Sequence, residues 1–310
     1  MTGSPETTAV VPAPAPVGRA SPRLVASDLD GTLLRDDGTV SARTAEVLRA
    51  LTEVGIEFVL VTARPPRWVD DLTFVPDHGV VICVNGAVVY DVAHRRVIEH
   101  LAMGRGLVGD LVADLRRTFP DAEFAAERPG GFAVEHAFRS PHPVPVDVVA
   151  VERIEDALDD ATVKLLFRSA ATSDENLVAL VDRVLDGRAV VLHSGADGLA
   201  EIHHPAVSKA AALERWATER GIVADDVWAF GDMPNDLPML DWAGRGFAVA
   251  NAHPSVLAAA DEVCGANGDD GVAAVLEQLL PDRTARAGGR ALPSTATGPR
   301  TVGEQGAGAR

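Results

Sequence analysis

Short, almost wholly apolar runs alternate along this chain with stretches that repeat apolar positions every three or four residues. "RLVASD" (23–28) is strand-like and ends in an acid. "SARTAEVLRALTEVG" (41–55) sets Val47, Leu48, Leu51 and Val54 on one helical face, with Ser41 placed to cap the helix and Gly55 to end it. "IEFVLVTA" (56–63) and "VVICVNG" (80–86) are again strand-like. The alternation resumes with a helix in "VSKAAALERWATERG" (207–221), a strand in "VWAFGD" (227–232) and a helix in "DLPMLDWAG" (236–244). A strand in "RGFAVAN" (245–251) and a helix in "GVAAVLEQLL" (271–280) complete it. Strands that are apolar on both faces and alternate with helices predict an α/β fold whose parallel sheet is covered on both sides.

The middle of the chain has a different period. "AEFAAE" (122–127), "GFAVEH" (131–136), "TVKLLFRS" (162–169) and "AVVLHS" (189–194) alternate apolar and polar residues, with helical stretches near 104–118 and 173–185. This predicts an α+β unit whose sheet has one face open to solvent. It interrupts the α/β pattern, so we expect a core made of two segments, 21–87 and 196–281, around an inserted domain, 88–195. Residues 1–20 and 282–310 are rich in Pro, Ala, Gly and Thr without periodicity, and read as disordered tails.

Composition narrows the function. The net charge is -17, and the last 29 residues hold five arginines against Asp282 and Glu304, so the acid excess lies in the body of the chain. Such a body repels nucleic acid and anionic membrane, and any anionic substrate needs a local site with a cation. No apolar run approaches the roughly 18 residues that a membrane helix needs. The early stretch "VVPAPAPV" is broken by prolines, so no secretory leader is expected. Cys83 and Cys264 are far apart in apolar runs, as reduced cysteines of a cytoplasmic protein would be. Of 28 basic residues only Lys164 and Lys209 are lysines, so a lysine here carries some information in itself.

In parallel α/β sheets, ligands bind at the carboxyl ends of the strands. Four such places carry reactive side chains: Asp28 and Asp30; Thr62; Lys209 at a helix start; and Asp232, Asn235 and Asp236 in "GDMPND". Acids after a strand are often turn or cap residues, and a threonine there is often a capping hydroxyl. Lys209 is odder, because it follows the cap Ser208 in a first helical turn, where the dipole disfavours cations and an anion is needed to compensate. Several carboxylates about one point need a cation, and hard oxygen donors suit Mg²⁺. The hydroxyl, ammonium and amide are donors to phosphate. A carboxylate that attacks phosphorus, with a second that moves the protons, is phosphoryl-transfer chemistry.

"DLDGTLL", "VTAR", "VSK" and "GDMPND" resemble the four motifs of the haloacid dehalogenase-like hydrolase superfamily. "ICVNGAVVYD", "LAEIHHPAVSKAAAL" and "AVANAHPSV" resemble its Cof-type phosphatase branch. The resemblance implies a Rossmann-like parallel-sheet core with an inserted C2-type cap. It makes Asp28 the nucleophile and a Mg²⁺ ligand, Asp30 the general acid/base with its carbonyl on the metal, and Asp232 the remaining protein ligand. Asp236 would support the metal site. Phosphate would be held by the N–H groups of Leu29 and Ala63, by Thr62, Lys209 and Asn235, with Arg64 and Asn85 as further candidates near the cap. Ala63 and Ala210 stand where the family commonly has glycine, and each still offers its N–H.

The implied activity is Mg²⁺-dependent hydrolysis of a phosphorylated small metabolite, a sugar phosphate being the expected kind, through an aspartyl phosphate. The alternatives are a phosphomutase on the same scaffold and a non-catalytic phospho-aspartate signalling or binding protein. Neither nucleic acid nor membrane is expected as a partner, and the oligomeric state is left open by the sequence.

Overall fold

The computed structural model describes residues 21–281 apart from 71, 73, 75–78, 141–143, 171–173 and 194–197. The two expected tails lie outside the described residues. The chain opens with β1 (Leu24–Ser27), α1 (Ala42–Glu53), β2 (Glu57–Val61) and β3 (Val80–Cys83), then a hairpin of β4 (Val88–Asp91) and β5 (Arg96–His100). A second unit follows: α2 (Arg105–Thr118), β6 (Glu123–Arg128), β7 (Gly131–Glu135), β8 (Val149–Val151), β9 (Lys164–Arg168), α3 (Asp174–Leu185), β10 (Val190–His193) and β11 (Leu199–His203). The chain then returns through α4 (Lys209–Glu219), β12 (Val227–Gly231), α5 (Leu237–Trp242), β13 (Arg245–Val249), α6 (Pro254–Ala259), β14 (Glu262–Cys264) and α7 (Gly271–Leu276).

The first sheet has the order β14-β13-β12-β1-β2-β3-β4-β5. Its strands run parallel from β14 to β3, and β4 and β5 add an antiparallel edge. Every residue of β1 and β12 is buried, as a sheet covered on both faces requires. α1 packs with α7 and against β2, whereas α4 packs with α5 and against β3. Ser41 caps α1 by accepting the Thr44 N–H at 2.9 Å, and Thr44, Val47, Leu48 and Leu51 are buried. Val54, expected on the same face, is instead exposed: it lies one residue past the helix, and Ile56 takes the buried position.

The second sheet has the order β10-β11-β9-β6-β7-β8. α2 and α3 close one face over an apolar cluster that includes Leu111, Leu115, Phe124, Phe167 and Val181. The other face is largely covered rather than open to solvent along its length, contrary to the reading of its alternating pattern. Ala125, Phe132, Val134, Phe138 and Leu199 form a second apolar cluster there. Glu127, Lys164 and Glu201, at the same strand parity, are buried beside them. These polar residues meet loops of the first sheet: Arg67 pairs with Glu127, Lys164 reaches the Ala63 carbonyl, and Asn85 donates to Glu201. The period of two was real, but its polar half faces protein.

The sheets also divide at different residues from the expected 88–195. β4 and β5 pair onto β3 and so extend the first sheet to His100, while β11 lies antiparallel to both β9 and β10 and carries the second sheet to His203. In the first sheet, Phe230 stacks on Phe247 with ring centroids 4.7 Å apart, and both are buried. Phe230→Ala is expected to lower the unfolding free energy by about 3–5 kcal/mol through lost transfer energy and a residual cavity; urea denaturation checks it, and a loss under about 1 kcal/mol would mean that the site collapses freely.

Candidate active site

Parallel strands end on a common edge, and β1, β2 and β12 deliver polar residues to it. Asp28 directly follows β1 and donates its N–H to the Phe230 carbonyl at 2.9 Å, which fixes it beside the end of β12. The chain then turns through Gly31 at φ 74°, where a Cβ would stand 2.4 Å from Asp232 Oδ2. Glycine is therefore required twice over, for its dihedral and for the approach of Asp232. Thr32 Oγ1 donates to Asp232 Oδ1 at 2.8 Å, and Asn251 Nδ2 donates to the Gly31 carbonyl at 2.7 Å.

Lys209 starts α4 behind its cap Ser208, whose hydroxyl accepts the Ala211 N–H. Its ammonium is buried and lies 2.7 Å from both Asp28 Oδ1 and Asp236 Oδ1. These two carboxylates are the anions that its unfavourable place in the helix dipole demands. Burial alone would depress the lysine, but Asp236 and Asp28 overcome that and hold it above the ordinary lysine range. Burial raises Asp28 well above the usual carboxylate range; Lys209 opposes this and the Asp236 charge adds to it. Asp232 is likewise raised, first by burial.

One oxygen each from Asp28, Asp232 and Asp236 falls within a 4.8 Å span. Three carboxylates against one ammonium leave a negative surplus in a buried place. Asp236 Oδ2 already accepts the N–H groups of Asp232 and Met233, both at 3.0 Å, so Asp236 acts as a brace. The pair with oxygen capacity to spare is Asp28 and Asp232. An all-oxygen set with surplus charge fits a small hard divalent cation such as Mg²⁺.

The other expected residues group around this centre. Thr62 is buried at the end of β2, where its hydroxyl accepts the Arg64 N–H at 3.1 Å. The Leu29 side chain is buried in the core, and the Ala63 carbonyl accepts from Lys164 Nζ at 3.3 Å. Asn235 Nδ2 donates to Asn85 Oδ1 at 3.2 Å. Asp30 is the exception. Its side chain is 56% exposed and is forked by Arg64 Nε and Nη2, so its carboxylate stands outside the buried cluster. Arg64 is committed to Asp30. Sequence reasoning gave no role to Thr32, Arg67, Glu127, Asn251 or Glu201, although Thr32 stands inside "DLDGTLL" and Asn251 inside "AVANAHPSV". It marked Lys164 as unusual without placing it.

Comparison with known proteins settles the family. The model for haloacid dehalogenase-like hydrolases matches residues 25–276. The chain belongs to this family. This haloacid dehalogenase-like hydrolase is 29% identical over 271 residues to YxeH of Bacillus subtilis strain 168, covering 83% of its own length and 98% of that protein. It is 28% identical over 287 residues to phosphatase YwpJ of the same organism, with 83% and 100% covered. Among solved structures, BT1666 from Bacteroides thetaiotaomicron matches with a TM-score of 0.71 at 25% identity, over 85% of this chain and 97% of that one. TM0651 from Thermotoga maritima matches with a TM-score of 0.71 at 23% identity, over 84% and 98%. The Rossmann-like core with an inserted α+β cap is thus the fold of the hydrolase family, and the protein is an enzyme of that class. Among the described residues no helix is long and apolar enough to cross a membrane.

Replacing Lys209 by methionine leaves two buried carboxylates without their cation. In EDTA, Lys209→Met is expected to cost about 3–5 kcal/mol of stability, measured by urea denaturation; an unchanged midpoint would show that the ion pairs are not formed in solution.

Proposed function

We propose that this hydrolase is a Mg²⁺-dependent phosphatase of small phosphorylated metabolites that works through an aspartyl phosphate on Asp28. The observation that carries the reading is the buried Asp28 carboxylate held 2.7 Å from Lys209 with Asp232 alongside. An Asp28 oxygen attacks phosphorus, the bond to the leaving oxygen breaks, and Asp30 as a carboxylic acid protonates that oxygen. Asp30, now a carboxylate, takes a proton from water as the water attacks phosphorus, and inorganic phosphate leaves with the Asp28 carboxylate restored. The Asp30 carboxylate is held by Arg64 Nε and Nη2, so it must leave Arg64 to reach the leaving oxygen. Lys209, Thr62, Asn235 and the N–H groups of Leu29 and Ala63 hold the phosphoryl oxygens.

The cation would be held by the carboxylates of Asp28 and Asp232 and the carbonyl of Asp30. When bound, it neutralises phosphoryl charge that an acidic site would otherwise repel. Thr32 fixes which way the Asp232 carboxylate faces.

The core does not choose the leaving group. Relatives of nearly equal similarity have different substrates in their names: YbhA of Escherichia coli is a pyridoxal phosphate phosphatase at 27% identity, and YitU of Bacillus subtilis a 5-amino-6-(5-phospho-D-ribitylamino)uracil phosphatase at 27%. Within this class we expect a sugar phosphate, since the cap turns polar side chains toward the core, and we place the reaction in the cytoplasm.

Asp28→Asn is expected to lower phosphate release from an aryl phosphate by at least about a thousandfold with an unchanged circular dichroism spectrum. Turnover near the wild-type rate would end covalent catalysis on Asp28. Free phosphate as the product also separates hydrolysis from mutase chemistry. EDTA should stop turnover and added Mg²⁺ restore it; indifference to chelation would remove the metal. A panel of sugar phosphates and pyridoxal phosphate then ranks substrates by kcat/KM.

A further inference from the structure

One buried polar chain runs from the cap into the candidate phosphate site, and every donor and acceptor in it has a fixed direction. On β9, Lys164 Nζ lies 2.8 Å from Glu201 Oε1 of β11. Glu201 Oε2 accepts from Asn85 Nδ2 at 3.1 Å, and Asn85 Oδ1 accepts from Asn235 Nδ2 at 3.2 Å. Lys164, Glu201 and Asn85 are all buried. A carboxylate paired with an ammonium can only accept. The Asn85 amide must therefore turn its NH₂ toward Glu201 and its carbonyl toward Asn235. Asn235 must in turn present NH₂ to Asn85, which leaves the second N–H of that same nitrogen for another acceptor.

Burial would raise Glu201, but Lys164 and then His203 pull it down to about 2, so it is ionised at any working pH. The backbone around Asn85 is equally constrained. Val84 and Asn85 both have left-handed φ, 54° and 56°, and for the β-branched Val84 that conformation is costly. Val84 donates its N–H to the Arg64 carbonyl and Asn85 to the Thr62 carbonyl. A Cβ on Gly86 would stand 2.3 Å from the carbonyl oxygen of Ser208, the residue before Lys209. Residues 84–86 thus wedge between the loops that carry Thr62 and Lys209. Strain of this kind persists only where the surroundings enforce it.

We infer that Asn85 and Glu201 are positioning residues, which fix the amide of Asn235 so that one N–H of Nδ2 faces the phosphoryl group. The inference rests on the proposed phosphatase reading, because it needs Asn235 to hold phosphate. It places the control of a core donor on a carboxylate of the cap.

A double-mutant cycle tests it, read as inhibition by inorganic phosphate during aryl phosphate turnover. Asn85→Gly suits the left-handed φ and removes only the amide, so the variant keeps its backbone. Asn235→Ala is expected to weaken phosphate inhibition about tenfold, the worth of one hydrogen bond to a charged group. Asn85→Gly should weaken it nearly as much, and the double variant no more than Asn235→Ala alone, since the two act on one bond. Glu201→Gln should weaken inhibition in the wild-type background and change nothing further in the Asn235→Ala background, with folding confirmed by circular dichroism. Additive losses, near a hundredfold in the Asn85/Asn235 double, would overturn the inference, and so would unchanged inhibition in Asn85→Gly or Asn235→Ala. In either case wild-type release of phosphate would leave the phosphatase reading standing, whereas a wild type that releases none would fail that reading first.

Discussion

The ammonium of Lys209 sits between two carboxylates that arrive in the loops after different strands, and the rest of the site is arranged about it. A buried ammonium without anions would be untenable, and its position in the first turn of α4 adds the helix dipole to the cost. Asp28 and Asp236 remove that cost only if β1 and β12 end side by side. The parallel register does this by pairing Ser27 with Phe230. A slip of one residue would carry Asp28 past Gly231 and strand the charge. The ion pairs and the sheet register thus specify each other, and the residues outside the pairs fit around them. Gly31 lets Asp232 approach the turn after Asp28, and Gly231 lets the Asp236 side chain lie against β12. Neither place has room for a methyl group.

The same geometry leaves a charge imbalance that favours phosphoryl chemistry. Lys209 pairs directly with Asp28 and Asp236, whereas Asp232 takes the Thr32 hydroxyl and is held above the usual carboxylate range, first by burial. A site that can be completed by a divalent cation and then by an anion is suited to a phosphate monoester, and ill suited to a neutral ligand that would leave the charges uncompensated. In a chain of net charge -17 this matters more, because the overall field opposes the substrate and local donors must outweigh it.

Much of this was legible in residue order. Apolar strands ending in Asp28, Thr62 and Asp232 predicted one reactive edge, because parallel strands must end together. Lys209 after Ser208 called for an anion, and the structure supplies two. What stayed hidden was long-range pairing. The alternation in "TVKLLFRS" and "AEFAAE" is the pattern of a solvated face, and nothing local says that Lys164 and Glu127 find Glu201 and Arg67 instead. The sheet that β11 joins was hidden for a similar reason. Pro205 and Ser208 mark where "LAEIHH" ends, but only its antiparallel partners reveal which sheet it joins. Asn85 was a weak candidate on sequence grounds, since its role depends on Asn235 and Glu201, residues 150 and 116 positions away.

The polar join between the two sheets also explains how the cap can be held in one orientation without being fused to the core. The apolar clusters of core and cap are separate among the described residues, apart from Val163, which packs with the core. Across the join stand Arg67 with Glu127, Lys164 with Glu201 and the Ala63 carbonyl, and Asn85 with Glu201. Buried ion pairs contribute little net stability, because desolvation offsets most of the attraction, but their directionality admits few arrangements. An apolar join of equal area would be tighter and less particular about angle. The cap is therefore positioned by direction-sensitive bonds that end on the loop after β2, which carries Thr62, and on Asn85, which accepts from Asn235. Any displacement of the cap must be felt at Asn85 and the Thr62 loop, because the bonds that locate the cap end there.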